Sequence, residues 1–508
     1  MPIRIGEPLT LAGVLEVARG APVEIAPDVA ARMAPARAVV QQALDSDRAV
    51  YGITTGIGDL ANVRIDPAEA VRLQTDIVRS HATGVGPPLP TEVVRAMMLL
   101  RARTFAFGIS GVRFELVEAF VKMLNEGIHP VVPAQGSLGA SGDLAQLAHL
   151  ALPVIGEGRT EIDGRTMAAG DALRARGIEP LALSHKEGLA LVNGTEMMLA
   201  YGILVFAAAT AIARTADVTG AMTVEACLGT DRAFEERLIS LRKHPGAAVV
   251  AGNLRALLAD SQIVASHRES EHLVQDAYSL RCIPQVHGAY RDGLAYVRAT
   301  LEAELASAID NPSVLADSGE VLSGGNFHGE ALGLALDHLA LCVTGYGTIA
   351  ERRIARLVDP DLNNGLPAFL TRDPGRRSGL MLAQYTAAAL VSESRSLCFP
   401  ASADSIPTSA GQEDHVSMGA TSARKAAAIV ANVERVMAIE AIAAAQGLDL
   451  RAPLTPAPAT GATRAVLRES VPFLDEDRIL SGDIEAATEL VRNERLVVAA
   501  AETCGALH

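Results

Sequence analysis

The chain has 508 residues, of which 49% are hydrophobic, 20% are charged and only 3% are aromatic, with no tryptophan. Its formal net charge of −15 disfavours binding to nucleic acid or to anionic membranes, and the few aromatics argue against a base-stacking surface. Five scattered cysteines without a CxxC pair, and an N-terminus without a secretory pattern, favour a reducing, cytoplasmic location over a disulfide framework or a zinc site.

The first part of the chain alternates short apolar segments with proline and glycine. We expect a helix near Ala36 to Leu44, with Pro35 in its first turn, and a second helix over Ala68 to Arg79. The loop between them, Tyr51 to Asp59, is punctuated by glycine but lacks the Gly-Lys-Ser/Thr of a phosphate-binding loop. Taken alone, this loop is typical of an ordinary turn, and His81 after the second helix is typical of a structural histidine.

A longer signal follows in the sequence Gly136-Ser-Leu-Gly-Ala140-Ser141-Gly142-Asp143, which precedes a mostly apolar run from Leu144 to Val154. The plain interpretation is a helix start, with the Asp143 carboxylate at the positive end of that helix. A chemical interpretation is that the Gly142 nitrogen attacks the carbonyl carbon of Ala140 and closes a five-membered ring. Loss of water from the ring and from the Ser141 side chain would then leave an exocyclic methylidene. Glycine permits the close backbone approach that this closure needs.

From about Gly188 onward the chain becomes rich in alanine and leucine. Long helices are predicted for Glu196–Leu228, Tyr290–Ala308, His328–Val358, Met381–Leu397 and Ser422–Gln446. Most of them are apolar on more than one face, which is typical of helices surrounded by other helices. The uncharged run Met197 to Ala213 is short for a membrane span and favours a buried core helix.

These patterns predict a mainly α fold. We expect a core of long, bundled helices and a smaller N-terminal mixed portion that carries the active-site loops. The predicted division lies between residues 1–195 and 196–508.

Four further strings contain polar residues that can bind a ligand. They are Gly188 to Thr195 with Asn193, Val274 to Gln285 with Gln275, Tyr278 and Arg281, Ser323 to Glu330 with Phe327, and Pro400 to His415 with Glu413. Asn193 alone is typical of a helix cap, and an exposed arginine is usually a solvated charge, although arginine also pairs with substrate carboxylates. The histidines and acids of the last two strings lack the i, i+4 histidine spacing of a zinc helix, so we expect no metal.

Seven strings in the same order, from Tyr51 to Glu413, resemble the motifs of the aromatic amino acid ammonia-lyases and aminomutases. The resemblance implies a prosthetic group, 4-methylideneimidazole-5-one, made from Ala140-Ser141-Gly142. It also implies a homotetramer in which several subunits build each active site, acting on a small amino acid.

The resemblance also implies roles for individual residues. Tyr51 is the expected base, and the catalytic residues are Tyr51, Ala140, Ser141, Gly142 and Tyr278. Arg281 is expected to hold the substrate carboxylate, with Asn193 assisting. The substrate-binding residues are His81, Asn193, Gln275, Arg281, Phe327 and Glu413.

Two positions indicate the substrate. The pair Ser80-His81 and the string Gln412-Glu413 resemble the histidine-specific branch of the family. A carboxylate and a histidine complement an imidazole, whereas a phenyl ring would leave Glu413 buried and unpaired. We therefore expect elimination of ammonia from L-histidine to give trans-urocanate.

Three alternatives stay open at this point. The first is a histidine 2,3-aminomutase with the same machinery, because retention of ammonia depends on loop closure rather than on residue identity. The second is a tyrosine or other aromatic lyase, since Thr54 and Ile57 depart from the usual pattern of the histidine branch. The third is a silent helical scaffold, which would be expected to lose the tripeptide, Tyr51 or Arg281.

Overall fold

The computed structural model describes residues 2–45, 50, 52–53, 55, 65, 67–269 and 274–508. Helices dominate this part of the chain. Their bounds are α1 Leu11–Ala18, α2 Val29–Asp45, α3 Pro67–His81, α4 Thr91–Ala106, α5 Glu115–Asn125, α6 Leu144–Ala151, α7 Ala169–Ala175, α8 Glu187–Val192, α9 Glu196–Ala226, α10 Glu236–Ile239, α11 Pro245–Leu257, α12 Gln262–Ser266, α13 Tyr278–Arg281, α14 Ile283–Ala306, α15 Glu330–Val358, α16 Met381–Leu397, α17 Gly419–Leu450, α18 Pro458–Ser470, α19 Ser481–Arg492 and α20 Arg495–Cys504. Short 3₁₀ turns lie at Leu152–Ile155, Arg232–Phe234, Ala368–Leu370 and Ser409–Gly411.

Among the described residues the strands are short and form four small sheets. They are β1 Ile3–Ile5, β2 Val23–Ile25, β3 Val85–Pro88, β4 His129–Pro130, β5 Pro133–Gln135, β6 Arg159–Ile162, β7 Arg165–Ala168, β8 Ser313–Leu315 and β9 Glu320–Leu322. The pair β1–β2 is parallel, while β3–β5, β4–β6–β7 and β8–β9 are antiparallel. Most of these strands belong to the N-terminal part of the chain, so the predicted fold class, long helices with a smaller mixed portion, is confirmed.

The helix predicted near Ala36 to Leu44, with Pro35 in its first turn, begins earlier, at Val29, and contains Pro35 in its interior. The expected start was wrong because it depended on proline alone. Proline lacks a backbone N–H and so removes one hydrogen bond from a helix interior, which favours a helix that begins near it. The turn before Pro35 is anchored by Val29 and Met33, both buried. Burial of these two side chains favours helix despite the lost bond.

The chain forms two compact units. Unit 1 comprises residues 1–204, 298–337 and 400–424, and unit 2 comprises residues 205–297, 338–399 and 425–508. The predicted division at residue 195 stays a prediction.

The core of unit 1 contains α4, in which every residue from Val93 to Ala106 is buried. Each large aliphatic side chain in such a helix contributes about 1.5–3 kcal/mol of burial. A smaller cluster packs Ala36, Val39 and Val40 of α2 against Val314 of β8. These contacts tie the N-terminal helices to the later strand pair within the same unit.

The core of unit 2 contains buried charges as well as apolar side chains. Arg353 and Glu440 form a fully buried ion pair, and the hydroxyls of Thr219 and Thr223 also donate to Glu440. A buried carboxylate needs partners of this kind because it has lost its water.

Two helices among the described residues are long and apolar enough to pass a test for membrane spans, α9 and α15. Their most apolar windows are 72% and 67% buried within the protein. Burial of that extent is typical of core helices in a bundle, as predicted for Met197 to Ala213.

Candidate active site

The tripeptide Ala140-Ser141-Gly142 forms a tight turn between β5 and α6. Ser141 and Gly142 have positive φ angles of 49° and 83°, and the Gly142 N–H donates to the Gly139 carbonyl at 3.2 Å. The Ser137 hydroxyl donates to the Gly142 carbonyl at 2.8 Å. The turn is therefore held by its own neighbours in a conformation that ordinary residues rarely adopt.

Gly194 clamps this turn from the other side. Its N–H donates to the Ser141 carbonyl at 3.2 Å, and its carbonyl accepts from the Asp143 N–H at 2.7 Å. A Cβ at Gly142 would lie 1.9 Å from the Gly194 oxygen, so only glycine fits. The absence of a side chain at Gly142 therefore allows the Gly194 backbone to pack directly against the turn.

Asp143 is the N-cap residue of α6, but its side chain does not cap that helix. Its Oδ2 instead accepts the N–H groups of Met197 and Met198, at 2.9 and 3.0 Å, in the first turn of α9. The prediction that this carboxylate serves the helix starting at Leu144 was therefore wrong, because a tertiary contact places it on another helix.

Burial raises the pKa of Asp143 to about 8, although the two backbone N–H groups oppose that shift. Its Oδ1 is buried and has no hydrogen-bond partner among the described residues. Because Oδ2 is occupied as an acceptor, Oδ1 is the atom of this carboxyl that can hold a proton near neutral pH.

Asn193 lies between α8 and α9, next to the clamping glycine. Its Nδ2 donates to the Asn311 carbonyl at 2.7 Å, which fixes the orientation of the amide. Its Oδ1 is buried and has no partner within the described part of the chain. Since a buried polar atom is normally hydrogen-bonded, this oxygen is available to a ligand.

His81 is the last residue of α3, a helix that runs two residues beyond its predicted end. Its Nδ1 lies 2.8 Å from the Ile77 carbonyl and 3.1 Å from the Ser80 hydroxyl. Because a carbonyl can only accept, Nδ1 carries the proton. In the uncharged form of the imidazole, Nε2 is then the hydrogen-bond acceptor.

Glu413 follows the 3₁₀ turn Ser409–Gly411 and is half-buried. Its Oε2 accepts the Thr408 hydroxyl, which leaves Oε1 for another donor. Phe327 lies in the turn before α15 and is also half-buried. The helix predicted to start at His328 starts at Glu330, with two residues between it and the end of the turn at 326–327.

Two separate segments contact the stretch around the tripeptide loop, and a third packs against the first turn of α9. Strand β3 pairs with β5, Val85 opposite Gln135, just before the loop. The Met418 N–H donates to the Leu138 carbonyl at 2.9 Å within it. A Cβ at Gly329 would lie 2.7 Å from a side chain in the first turn of α9, next to the Gly194 clamp. These segments carry three predicted substrate-binding residues, namely His81, Phe327 and Glu413.

In unit 2, three predicted residues lie on and before the short helix α13. Gln275 precedes the helix, while Tyr278 and Arg281 are at its two ends. The Arg281 guanidinium lies over the Tyr278 ring, 4.7 Å from its centroid, and Tyr278 is 72% exposed. Arg281 Nε is buried and unpartnered among the described residues, so this cation is available to an anionic ligand.

Tyr51, the predicted base, lies outside the described residues, as do Thr54 and Ile57. Within the described ranges, no group of three or more His, Cys, Asp or Glu side chains can hold a metal ion.

A family model described as aromatic amino acid lyase matches residues 9–469. The chain belongs to this family.

Its relatives within the aromatic amino acid lyase family match over nearly their full length. A histidine ammonia-lyase from Koribacter versatilis is 50% identical, with 97% of this chain and 98% of that protein covered. Another from Symbiobacterium thermophilum is also 50% identical, with 99% of each covered.

Two solved structures of lyase-family members share the fold. Histidine ammonia-lyase from Trypanosoma cruzi superposes with a TM-score of 0.91 at 42% identity, covering 99% of this chain and 96% of that chain. Tyrosine aminomutase from Streptomyces globisporus gives 0.92 at 38% identity and covers 99% of each.

Sequence reasoning missed three polar residues beside this lyase-family site: Arg101, Glu196 and Thr408. A signal for the first was present, because Arg101 interrupts the apolar run of α4 and a buried charge there requires a partner. Thr408 had no local signal, since its contact depends on the turn at 409–411.

Proposed function

We propose that this chain eliminates ammonia from L-histidine to give trans-urocanate, using a methylideneimidazolone formed from Ala140-Ser141-Gly142. The observation that carries the proposal is the turn at 140–142, clamped by Gly194 in a conformation that only glycine permits at position 142. Relatives named histidine ammonia-lyase at about half identity support the same reaction.

The residues around the turn fit the proposed group. Gly142 has no room for a side chain, and two buried polar atoms, Asn193 Oδ1 and Asp143 Oδ1, have no partner among the described residues. We assign Asn193 and Gly194 to hold the ring. When formed, the ring supplies the electrophile that makes the substrate amine a better leaving group. The N-terminus of α6, which follows directly, favours negative charge at this place.

The substrate side chain is assigned to His81 and Glu413. His81 Nε2 accepts a hydrogen bond, and Glu413 Oε1 accepts a second one from an imidazole N–H or imidazolium. An imidazolium has two N–H groups, one for each of these two acceptors. A phenyl side chain would satisfy neither acceptor, which disfavours phenylalanine as substrate.

The substrate carboxylate is assigned to Arg281, whose charge has no acidic partner among the described residues. Its planar guanidinium can bind a carboxylate through two parallel N–H groups. Gln275 and Tyr278 are assigned to the amine side of the substrate, Phe327 to the pocket wall, and Tyr51 to removal of the β-proton. These five roles rest on resemblance to the family.

Assembly into a homotetramer, with sites built from several copies, is also part of the proposal. Exposed apolar side chains on α16, Leu382 and Tyr385, are 56% and 59% exposed and support an interface on that helix.

A cytoplasmic location is proposed from the five free cysteines. The proposed partner is a small amino acid, with no role for nucleic acid or membrane.

The deciding experiment incubates purified protein with L-histidine and follows urocanate, ammonia and β-histidine by NMR. Urocanate with an equal amount of ammonia supports the lyase, and protein carrying Ser141→Ala is the control. The peptide that contains residues 140–142 could have lost two waters in a protein that does not turn over histidine. That result would overturn the substrate assignment and leave the proposed ring formation intact.

The aminomutase alternative is favoured by one observation, the 0.92 TM-score to a protein named tyrosine aminomutase. Accumulation of β-histidine in the same assay would convert the proposal to a mutase with the same substrate. Turnover of tyrosine instead of histidine would indicate a tyrosine lyase.

A further inference from the structure

Beneath the Gly194 clamp lies a buried ion pair that the proposed chemistry does not use directly. Arg101 of α4 and Glu196 of α9 are 0% and 2% exposed, and Arg101 Nη2 lies 3.2 Å from Glu196 Oε1. The Thr104 hydroxyl donates to the same Oε1 at 3.0 Å. A buried pair of this kind is seldom retained for stability alone, because desolvation offsets most of its attraction.

The pair is in direct contact with the backbone that clamps the tripeptide. Arg101 Nη1 donates to the Asn193 carbonyl at 2.7 Å. A Cβ at Gly194 would lie 2.2 Å from Glu196 Oε2 and 2.6 Å from Arg101 Nη1, so both charged groups pack against this glycine. The other side of Gly194 bonds to Ser141 and Asp143. Gly194 therefore contacts the ion pair on one side and the tripeptide turn on the other, so a shift of the pair would displace the turn.

We propose that Arg101 and Glu196 are positioning residues for ring formation: they fix the Asn193–Gly194 backbone, which holds the Ser141 carbonyl and the Asp143 N–H so that Gly142 meets Ala140. The inference rests on the proposed function, because it concerns formation of the same ring. Neither side chain needs to touch the reacting atoms.

The bond changes define what must be positioned. The Gly142 nitrogen bonds to the Ala140 carbonyl carbon, and that carbonyl oxygen leaves as water with the N–H protons of Gly142 and Ser141. A C=N bond forms to the Ser141 nitrogen. The Ser141 hydroxyl then leaves as a second water with the Cα proton, giving the methylidene without any oxidant. A displacement of about 1 Å in such a geometry can cost about a hundredfold in rate.

Unit 2 provides a matched control. Glu440 is as buried as Glu196, pairs with Arg353, and accepts a threonine hydroxyl from Thr223 at 3.2 Å. Thr104 and Thr223 each also donate to the carbonyl four residues earlier. Glu196→Gln and Glu440→Gln therefore remove the same kind of charge from the same kind of pair, but only Glu196 contacts the clamp.

The test measures the fraction of tripeptide peptide that has lost two waters, by mass spectrometry of digested full-length protein, with helical content followed by circular dichroism. We expect wild type and Glu440→Gln to be fully dehydrated. Glu196→Gln should form the ring at least about tenfold more slowly while keeping its helical signal. If Glu196→Gln fails to fold, the milder pair Thr104→Val and Thr223→Val replaces it, with the same contrast expected.

Two results would overturn the inference: complete dehydration in Glu196→Gln or Thr104→Val at the wild-type rate, or an equal loss in the unit 2 control. A wild-type protein without dehydration would instead refute the ring itself. The two failures are therefore distinguishable.

Discussion

Thr408 and Glu413 are joined by three hydrogen bonds around a turn. The Thr408 hydroxyl lies 2.9 Å from Glu413 Oε2, the Thr408 N–H donates to the Glu413 carbonyl at 3.0 Å, and the Glu413 N–H donates to the Thr408 carbonyl at 3.3 Å. Ser409 and Ala410 between them have positive φ angles of 50° and 53°. This turn is held in an unfavourable backbone conformation, and the carboxylate it presents has one oxygen already fixed.

Thr408 is therefore expected to position the carboxylate that selects histidine. Thr408→Val keeps the shape but removes the hydroxyl, and should lower kcat/KM for histidine about threefold to tenfold, mainly through KM. Thr408→Ser retains the donor and should restore near wild-type kinetics. Steady-state assays of both variants decide the point. A loss in Thr408→Ser with near wild-type kinetics in Thr408→Val would mean that the methyl group, not the hydrogen bond, is what the site needs.

Glu413→Gln tests the specificity assignment itself. The amide has nearly the same shape but no charge, so turnover of histidine should fall about tenfold to a hundredfold. Any residual turnover of tyrosine should change much less, because a neutral phenol gains less from the carboxylate charge than an imidazolium does. Asp414→Asn, an exposed neighbour, is the control for loss of charge in this segment. A parallel fall for both substrates would remove the specificity argument.

The long helices could be predicted because each is a long run rich in alanine and leucine. Met381–Leu397 has the predicted bounds. The predicted start at Tyr290 was seven residues late, since α14 begins at Ile283. Pro284 lies in the first turn of this helix, where its missing N–H costs nothing.

The site was predictable only where residues form local strings. Ala140-Ser141-Gly142 could be recognised because three small residues in a row define the turn. The partner of Asp143 could not, because Met197 lies 54 positions further along the chain. The same limitation hid Glu196, whose partner Arg101 is 95 positions away. Such contacts depend on packing of whole helices rather than on sequence periodicity.

Arg281 is expected to bind the substrate carboxylate. Arg281→Gln should raise KM for histidine about tenfold to a hundredfold, because a charge-assisted bidentate contact is lost. Arg281→Lys should recover part of the affinity through its charge but not the two-point contact. Inhibition by histamine, which lacks the carboxylate, should be unchanged in both variants. A matching loss of histamine binding would show that Arg281 shapes the pocket instead.

His129 should make the stability of the protein depend on pH. Arg95 Nη1 donates to His129 Nε2 at 2.9 Å, so that nitrogen must be unprotonated in the folded state. Burial and the Arg95 charge lower the pKa of His129 to about 4.

In the unfolded chain this pKa is about 6.5, so the stabilisation is present above that pH and is lost as the pH falls towards 4. We expect a loss of about 1 kcal/mol between pH 7 and pH 5, allowing for partial solvent exposure. His129→Gln retains an acceptor that does not titrate and should flatten this slope in urea unfolding. An unchanged slope would assign the pH dependence to other groups.

The requirement for glycine at position 142 can be separated from ordinary backbone strain. Gly142 and Gly164 both have positive φ, 83° and 73°, but an added Cβ would meet the Gly194 oxygen at 1.9 Å in the first case and nothing within 4 Å in the second. Gly164→Ala should therefore cost only about 1 kcal/mol and leave ring formation intact. Gly142→Ala should abolish the loss of two waters and with it all turnover of histidine, because the clamp cannot close over a methyl group. Dehydrated, active Gly142→Ala protein would show that the turn rearranges before the ring forms.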